Sequence, residues 1–263
     1  MLDYYGILQI PTDASADLIK KAFRQKAKEN HPDLWQQKPG AQDFMRDLIR
    51  AYETLMDLEL REEYDLQHRK VYGTGGFDYR EFLLSHPEDN ESQSKLIFFD
   101  LLHHREKDAL RLYEGLVKRR DFDLSKHLDR EDFMDCAFIL AEEFETEGQL
   151  ESAYHLLRTI VHFEMQKPYF RHFFEEVVQR IRVLVGVKMI GKVPVHAHLE
   201  FVQTLIRFQI SSKEMAYYFK VGAELYSKIN DYPKAERYLK EALKLDKNLT
   251  GVKKLRQHLA RRM

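Results

Sequence analysis

The residues of this chain whose types and spacing could do chemistry begin with a set of cations. Lys20, Lys21, Arg24 and Lys28 recur at intervals that bring side chains together along one side of a helix over about three turns. Charge grouped in this way can hold a partner's surface; it makes and breaks no bonds. Histidines come next. His103, His104, His155, His162, His172, His196 and His198 raise the idea of a metal site, but no cysteines or carboxylates accompany them at ligand spacing, so helix-surface or core histidines are expected. The lone cysteine, Cys136, can neither close an internal disulfide nor supply the paired ligands of a structural zinc, and is expected as a small apolar residue on the helix Asp132 to Phe144. Gly73, Gly75 and Gly76 lack the following lysine-serine/threonine of a P-loop, and neither a nucleophile elbow nor an acid–base pair stands out. A binding protein is expected, not an enzyme, with no metal or cofactor of its own.

Elements must position those cations. Thr12 to Ser15 offers caps for a helix from Ala16 to Asn30 whose apolar members Ile19, Ala22, Phe23 and Ala27 share one face and whose basic residues take the other. Pro32 stops it, because proline disfavours the α conformation at His31 and lacks a backbone donor. A second amphipathic helix is predicted from Ala41 to Met56, with Met45, Leu48, Ala51, Tyr52 and Leu55 inward. The two pack as a hairpin, capped by short helices at Tyr4 to Leu8 and Leu60 to Gln67.

The chain has 263 residues, 44% of them hydrophobic, which is enough for two structural units with real cores. Charged residues make up 32% and nearly cancel to a formal −1, so no global field points to nucleic acid or an anionic membrane. Met1-Leu2-Asp3-Tyr4-Tyr5-Gly6 has neither a basic start nor a long apolar run, and later apolar runs such as Leu96 to Leu102 are broken by charge. A soluble, cytoplasmic protein without a membrane partner is expected. Helix-period stripes recur from Asp17 to Leu259 and glycine and proline are sparse, so the class is all-α. The turn at Gly73-Thr74-Gly75-Gly76 marks a domain edge, and Ser85 to Ser94 reads as a polar loop. The expected organisation is a module at 1–70, a linker with one short helix, Asp78 to Leu84, at 71–92, and a helical body at 93–263.

Five segments then occur in order: Asp3-Tyr4-Tyr5-Gly6-Ile7-Leu8, Ile19-Lys20-Lys21-Ala22-Phe23-Arg24, His31-Pro32-Asp33, Ala51-Tyr52-Glu53-Thr54-Leu55-Met56-Asp57 and Arg61-Glu62-Glu63-Tyr64-Asp65. In content and spacing they resemble the J domain of DnaJ proteins, over about the first quarter of the chain. His86-Pro87-Glu88 is nearly the same triplet as His31-Pro32-Asp33, but no basic amphipathic helix precedes it. The resemblance implies a four-helix module that docks on a DnaK-type chaperone, where the nucleotide domain meets the linker and peptide-binding domain, and stimulates its ATPase. The chaperone-binding residues it implies are His31, Pro32, Asp33, Lys20, Lys21, Phe23, Arg24 and Lys28. Asp33, beside a proline-locked neighbour, is suited to accept a bidentate hydrogen bond from a partner arginine. ATP and magnesium would belong to the partner. Two positions depart from the pattern: Lys26 stands where many members place a core leucine, and Asn30 replaces the apolar residue that commonly precedes the histidine. A lysine can lay its stem along a core edge, so a less stable module is expected rather than a different fold.

Beyond the linker, Met134 to Lys167 and Ala216 to Leu249 place small and large residues as tetratricopeptide helix pairs do, with Ala223, Ala235 and Ala242 allowing close approach beside Phe219, Tyr226 and Tyr232. Helices at Tyr169 to Val185 and His196 to Phe208 separate the pairs, so a tetratricopeptide-like helical array is expected, not a regular solenoid. Thr250 to Arg262 reads as a capping helix with Val252, Leu255 and Leu259 inward and a solvated basic face. The expected function is a co-chaperone whose body recruits a client or docking protein. The competing expectation is a scaffold in which the J module is structural or inactive.

Overall fold

The computed structural model describes residues 1–29, 41–72, 77–168 and 171–262, and their regular elements are helical, as the all-α class predicts. They form two compact units, Met1–Leu96 and Ile97–Met263. No helix among the described residues is long and apolar enough to cross a membrane.

The first unit is built from α1 (Tyr4–Leu8), α2 (Ala16–Glu29), α3 (Ala41–Met56), α4 (Leu58–Tyr72), α5 (Tyr79–Leu84) and the start of α6 (Asn90–Leu102), within which the division falls. Asp3 opens α1 by accepting the Gly6 N–H at 3.0 Å, and Gln9 closes it in the left-handed region at φ 54°. Tyr5 and Leu8 of α1, Ile19 of α2, Leu48, Ala51 and Leu55 of α3 and Tyr64 of α4 bury into one core. Each large apolar side chain taken fully out of water contributes about 1.5–3 kcal/mol, so the α2–α3 hairpin is held by these positions rather than by its charges.

Two elements differ from the expectation. The helix read from Leu60 to Gln67 is longer at both ends. Asp57 Oδ1 accepts the Glu59 and Leu60 amides at 3.0 Å each, starting α4 early, and Tyr72 at its far end donates to the Met1 carbonyl at 2.6 Å. The segment Ser85 to Ser94 is not a loop throughout, because the chain is helical from Asn90. Asp89 accepts the Ser92 amide at 2.9 Å and its hydroxyl at 2.5 Å, and the Ser92 side-chain bond holds the Asp89 carboxyl below its ordinary range. Gln93 and Ser94 are buried and donate to the carbonyls of Leu83, His86 and Asn90. Polar composition imitated a loop because these polar groups find backbone partners inside the unit.

The second unit comprises α7 (Glu106–Leu116), α8 (Leu124–His127), α9 (Arg130–Thr146), α10 (Leu150–Gln166), α11 (Arg171–Val183), α12 (Val195–Phe208), α13 (Ser212–Lys228), α14 (Tyr232–Leu245) and α15 (Lys253–Ala260). Helices α9 and α10 pair, as do α13 and α14, with Ala137, Ala141, Ala153, Ala223, Ala235 and Ala242 fully buried in the unit's core region. A Cβ at Gly222 would stand 2.7 Å from Tyr238 Cδ1, so the α13–α14 pair is as close as glycine permits. The predicted helix Tyr169 to Val185 ends differently: α11 gives way at Leu184–Lys188 to one turn of π-helix. Gly186 lies in that turn, where a Cβ would meet Tyr217 Oη at 1.7 Å, and the Val185 carbonyl bonds His198 Nε2 at 2.6 Å. A widened turn relieved by an inserted ring and an outside partner is a recurring cause of such bulges.

Candidate functional site

Burial of Ile19 orients α2. Ala22, Phe23 and Ala27 pack partly into the same core, and the Phe23 ring stacks on Tyr52 with centroids 4.3 Å apart and planes 24° apart. Phe23, grouped with the binding residues in the sequence reading, therefore works at the hairpin seam. Arg24 and Lys28 are exposed, while Lys20 and Lys21 are half-buried. Lys20 Nζ lies 3.4 Å from Asp17 Oδ1, a contact open to water that contributes well under about 1 kcal/mol. His31, Pro32, Asp33 and Asn30 lie outside the described residues. The structure thus fixes the helix that carries the cations and leads into the triplet.

A polar network joins α1 to α4 and reaches the chain just ahead of α2. Arg61 of α4 donates through Nη2 to the Thr12 carbonyl at 3.1 Å, just ahead of α2, and through Nε to Tyr5 Oη at 3.2 Å. Tyr5 Oη donates to Asp65 at 2.7 Å. Burial, reinforced by Asp65, pushes the Tyr5 hydroxyl up to about 12, so it stays protonated and remains a donor. Tyr64 Oη accepts the Tyr4 N–H at 2.8 Å and donates to the Leu2 carbonyl at 3.0 Å, and burial raises its pKa as well. Asp3 serves three groups: the Gly6 amide, the Phe77 amide at 3.1 Å and buried His68, whose Nε2 lies 3.2 Å away. Asp3, Tyr5, Arg61, Tyr64 and Asp65 all stand in the quoted motif segments, yet nothing in the sequence pairs Tyr5 with a residue sixty positions away. His68 lies beyond those segments.

In the second unit, His198 is buried on the Val185 carbonyl and His103 Nδ1 lies 2.8 Å from the Phe99 carbonyl. Among the described residues, no group of three or more histidine, cysteine or carboxylate side chains is placed to hold a metal. Cys136 is buried, and burial raises its thiol pKa far above the ordinary value. Leu255 and Leu259 of α15 turn inward, Val252 ahead of it is half-buried, and Lys253, Lys254 and Arg256 are exposed.

With this geometry in hand, residues 3–65 match the DnaJ domain. The chain is 46% identical over 65 residues to the chaperone protein DnaJ of Parasynechococcus marenigrum, and 48% identical over 63 residues to that of a Synechococcus species. It is 41% identical over 75 residues to chaperone protein DnaJ 1 of Streptomyces coelicolor. These matches cover 25%, 24% and 28% of this chain, but 17%, 16% and 18% of the relatives, so the chain matches less than a fifth of their length. The likeness thus belongs to the segment that contains α1 to α3 and the first half of α4: a DnaJ domain, followed by a helical array.

Proposed function

We propose that the DnaJ domain of this chain binds a DnaK-type chaperone and stimulates its ATP hydrolysis, while the helical body recruits a client or docking protein. The observation that carries this reading is the orientation of α2. Its Ile19 and Phe23 side is committed to the core, which leaves Lys20, Lys21, Arg24 and Lys28 together just before His31-Pro32-Asp33 in the chain.

The mechanism is binding without chemistry. Grouped cations attract an acidic partner surface over about one Debye length, roughly 8–10 Å at physiological salt, and set the approach of the triplet. Asp33 then accepts a bidentate hydrogen bond from a partner arginine, favouring the chaperone's hydrolysis-competent arrangement by the free energy it gains only in that state. ATP and magnesium remain with the partner. The tetratricopeptide-like pairs at 134–167 and 216–249 give the body its recruiting role, supported by the fully buried alanines of α9, α10, α13 and α14. A cytoplasmic setting and the lack of an enzymatic activity belong to the same reading.

Asp33→Asn in the full chain tests it. Stimulation of a DnaK-type ATPase is expected to vanish while the circular dichroism stays that of the wild type; undiminished stimulation would remove Asp33 from the mechanism. The scaffold reading draws on the tetratricopeptide-like pairs and on the departures at Lys26 and Asn30, and it requires a stoichiometric partner of the body that binds regardless of the chaperone.

A further inference from the structure

Lys26 falls on the apolar side of α2, seven residues after Ile19 and four after Ala22. Its side chain is only 18% exposed, yet its ammonium reaches Gln9 Oε1 and lies 3.7 Å from Glu29 Oε2. A charged group this sheltered requires partners, since an unpaired one costs far more than its stem gains. Gln9 stands at a fixed point of the backbone. It ends α1 in the left-handed region, with its backbone N–H bonded to the Gly6 carbonyl at 3.2 Å.

The last turn of α2 turns most of its side chains to water. Beyond Phe23, the residues Arg24, Gln25, Lys28 and Glu29 are exposed, and Gln25 bonds Glu29 on the same helix at 3.0 Å. Ala27 offers a single methyl to the core. Lys26 is therefore the long inward side chain of that turn. A hydrogen bond to one oxygen has a direction that apolar contact lacks, and so it fixes register.

We propose that the Lys26–Gln9 contact is a positioning latch: it ties the last turn of α2 to the end of α1, and so sets both the presentation of the cations and the point from which the chain enters His31-Pro32-Asp33. The latch rests on the function proposed above. Lys26 acts through the helix it holds and need not touch the chaperone.

The test uses the full chain with a DnaK-type chaperone, reading the concentration that gives half-maximal ATPase stimulation together with amide hydrogen exchange over residues 24–29. Lys26→Met keeps an apolar stem and is expected to hold or raise the unfolding midpoint, to quicken exchange in that turn, and to raise the half-maximal concentration about threefold to tenfold, the range for one lost hydrogen bond. Gln9→Asn keeps the left-handed preference but is too short to reach, and is expected to match Lys26→Met. The double variant is expected to be no worse than either single one, and Gln9→Glu, which restores an acceptor, to behave as wild type. Unchanged stimulation by Lys26→Met beside an active wild type, or additive losses in the double variant, would overturn the latch. A wild type that fails to stimulate at all would instead overturn the functional reading, and the latch's role with it.

Discussion

Cys136 and His198 differ in how far the sequence foretells their chemistry. A lone cysteine on an apolar helix face is readily read as core, and burial does raise the Cys136 thiol, with Asp132 and Asp135 adding to the effect. The thiol therefore stays neutral at mild alkaline pH, and a thiol reagent at about pH 8 is expected to leave the native chain unmodified over minutes and to react once it is unfolded. Rapid native reaction would show Cys136 exposed. His198 follows the other sign. Burial lowers its pKa below the ordinary 6.5, and the neutral ring donates to the Val185 carbonyl. Its contribution to stability is present above that ordinary value and is lost as pH falls through the lowered one. The melting temperature is expected to drop between about pH 7 and pH 5, and His198→Gln to flatten part of that drop; identical pH profiles would refute the role. Neither the Val185 partner nor the Tyr5–Asp65 bond was legible, because both join residues that are distant in sequence or lie in a turn that periodicity cannot describe.

At the scale of elements, periodicity located α1, α2, α3 and the pairs α9–α10 and α13–α14 to within a few residues, because each has a face committed to the core. It failed where capping or backbone satisfaction decides. Asp57 and Asp89 extended helices into stretches that composition made look like turns. The π-turn at Leu184–Lys188 packs against Tyr217, a ring from α13 held under the Arg182 guanidinium at 4.0 Å. Arg182 also pairs with buried Glu214 at 2.8 Å, and Arg180 with buried Glu145 at 2.7 Å, so α11 is fastened on both sides and the ring has little room to yield. Gly186→Ala is therefore expected to cost about 1–3 kcal/mol in chemical denaturation. Introduced into a Tyr217→Ala background, the same change is expected to cost much less. Equal costs in both backgrounds would mean that the ring does not set the turn.

At the scale of the molecule, two hydrophobic cores stand out among the described residues, and each belongs to its own unit. Leu48 is fully buried in the first. Leu48→Ala is expected to remove about 2–5 kcal/mol from the DnaJ-domain unit. Pulsed proteolysis should report that loss in peptides from 41–56 and leave those from 212–245 unchanged; an equal loss in both would mean that the units unfold as one. The all-α class and the DnaJ segment were legible at this scale, the first from helical periodicity and the second from ordered motifs. The body's partner was not, since alternation of small and large residues reports how helices pack on one another and carries no record of what their outer faces meet. The proposed function therefore turns on the first unit. The most direct measurement is single-turnover ATP hydrolysis by a DnaK-type chaperone with the wild-type chain and with His31→Gln. Stimulation by the wild type that is lost in the variant is expected; equal hydrolysis rates with both, by a chaperone shown to respond to another DnaJ protein, would contradict the co-chaperone role.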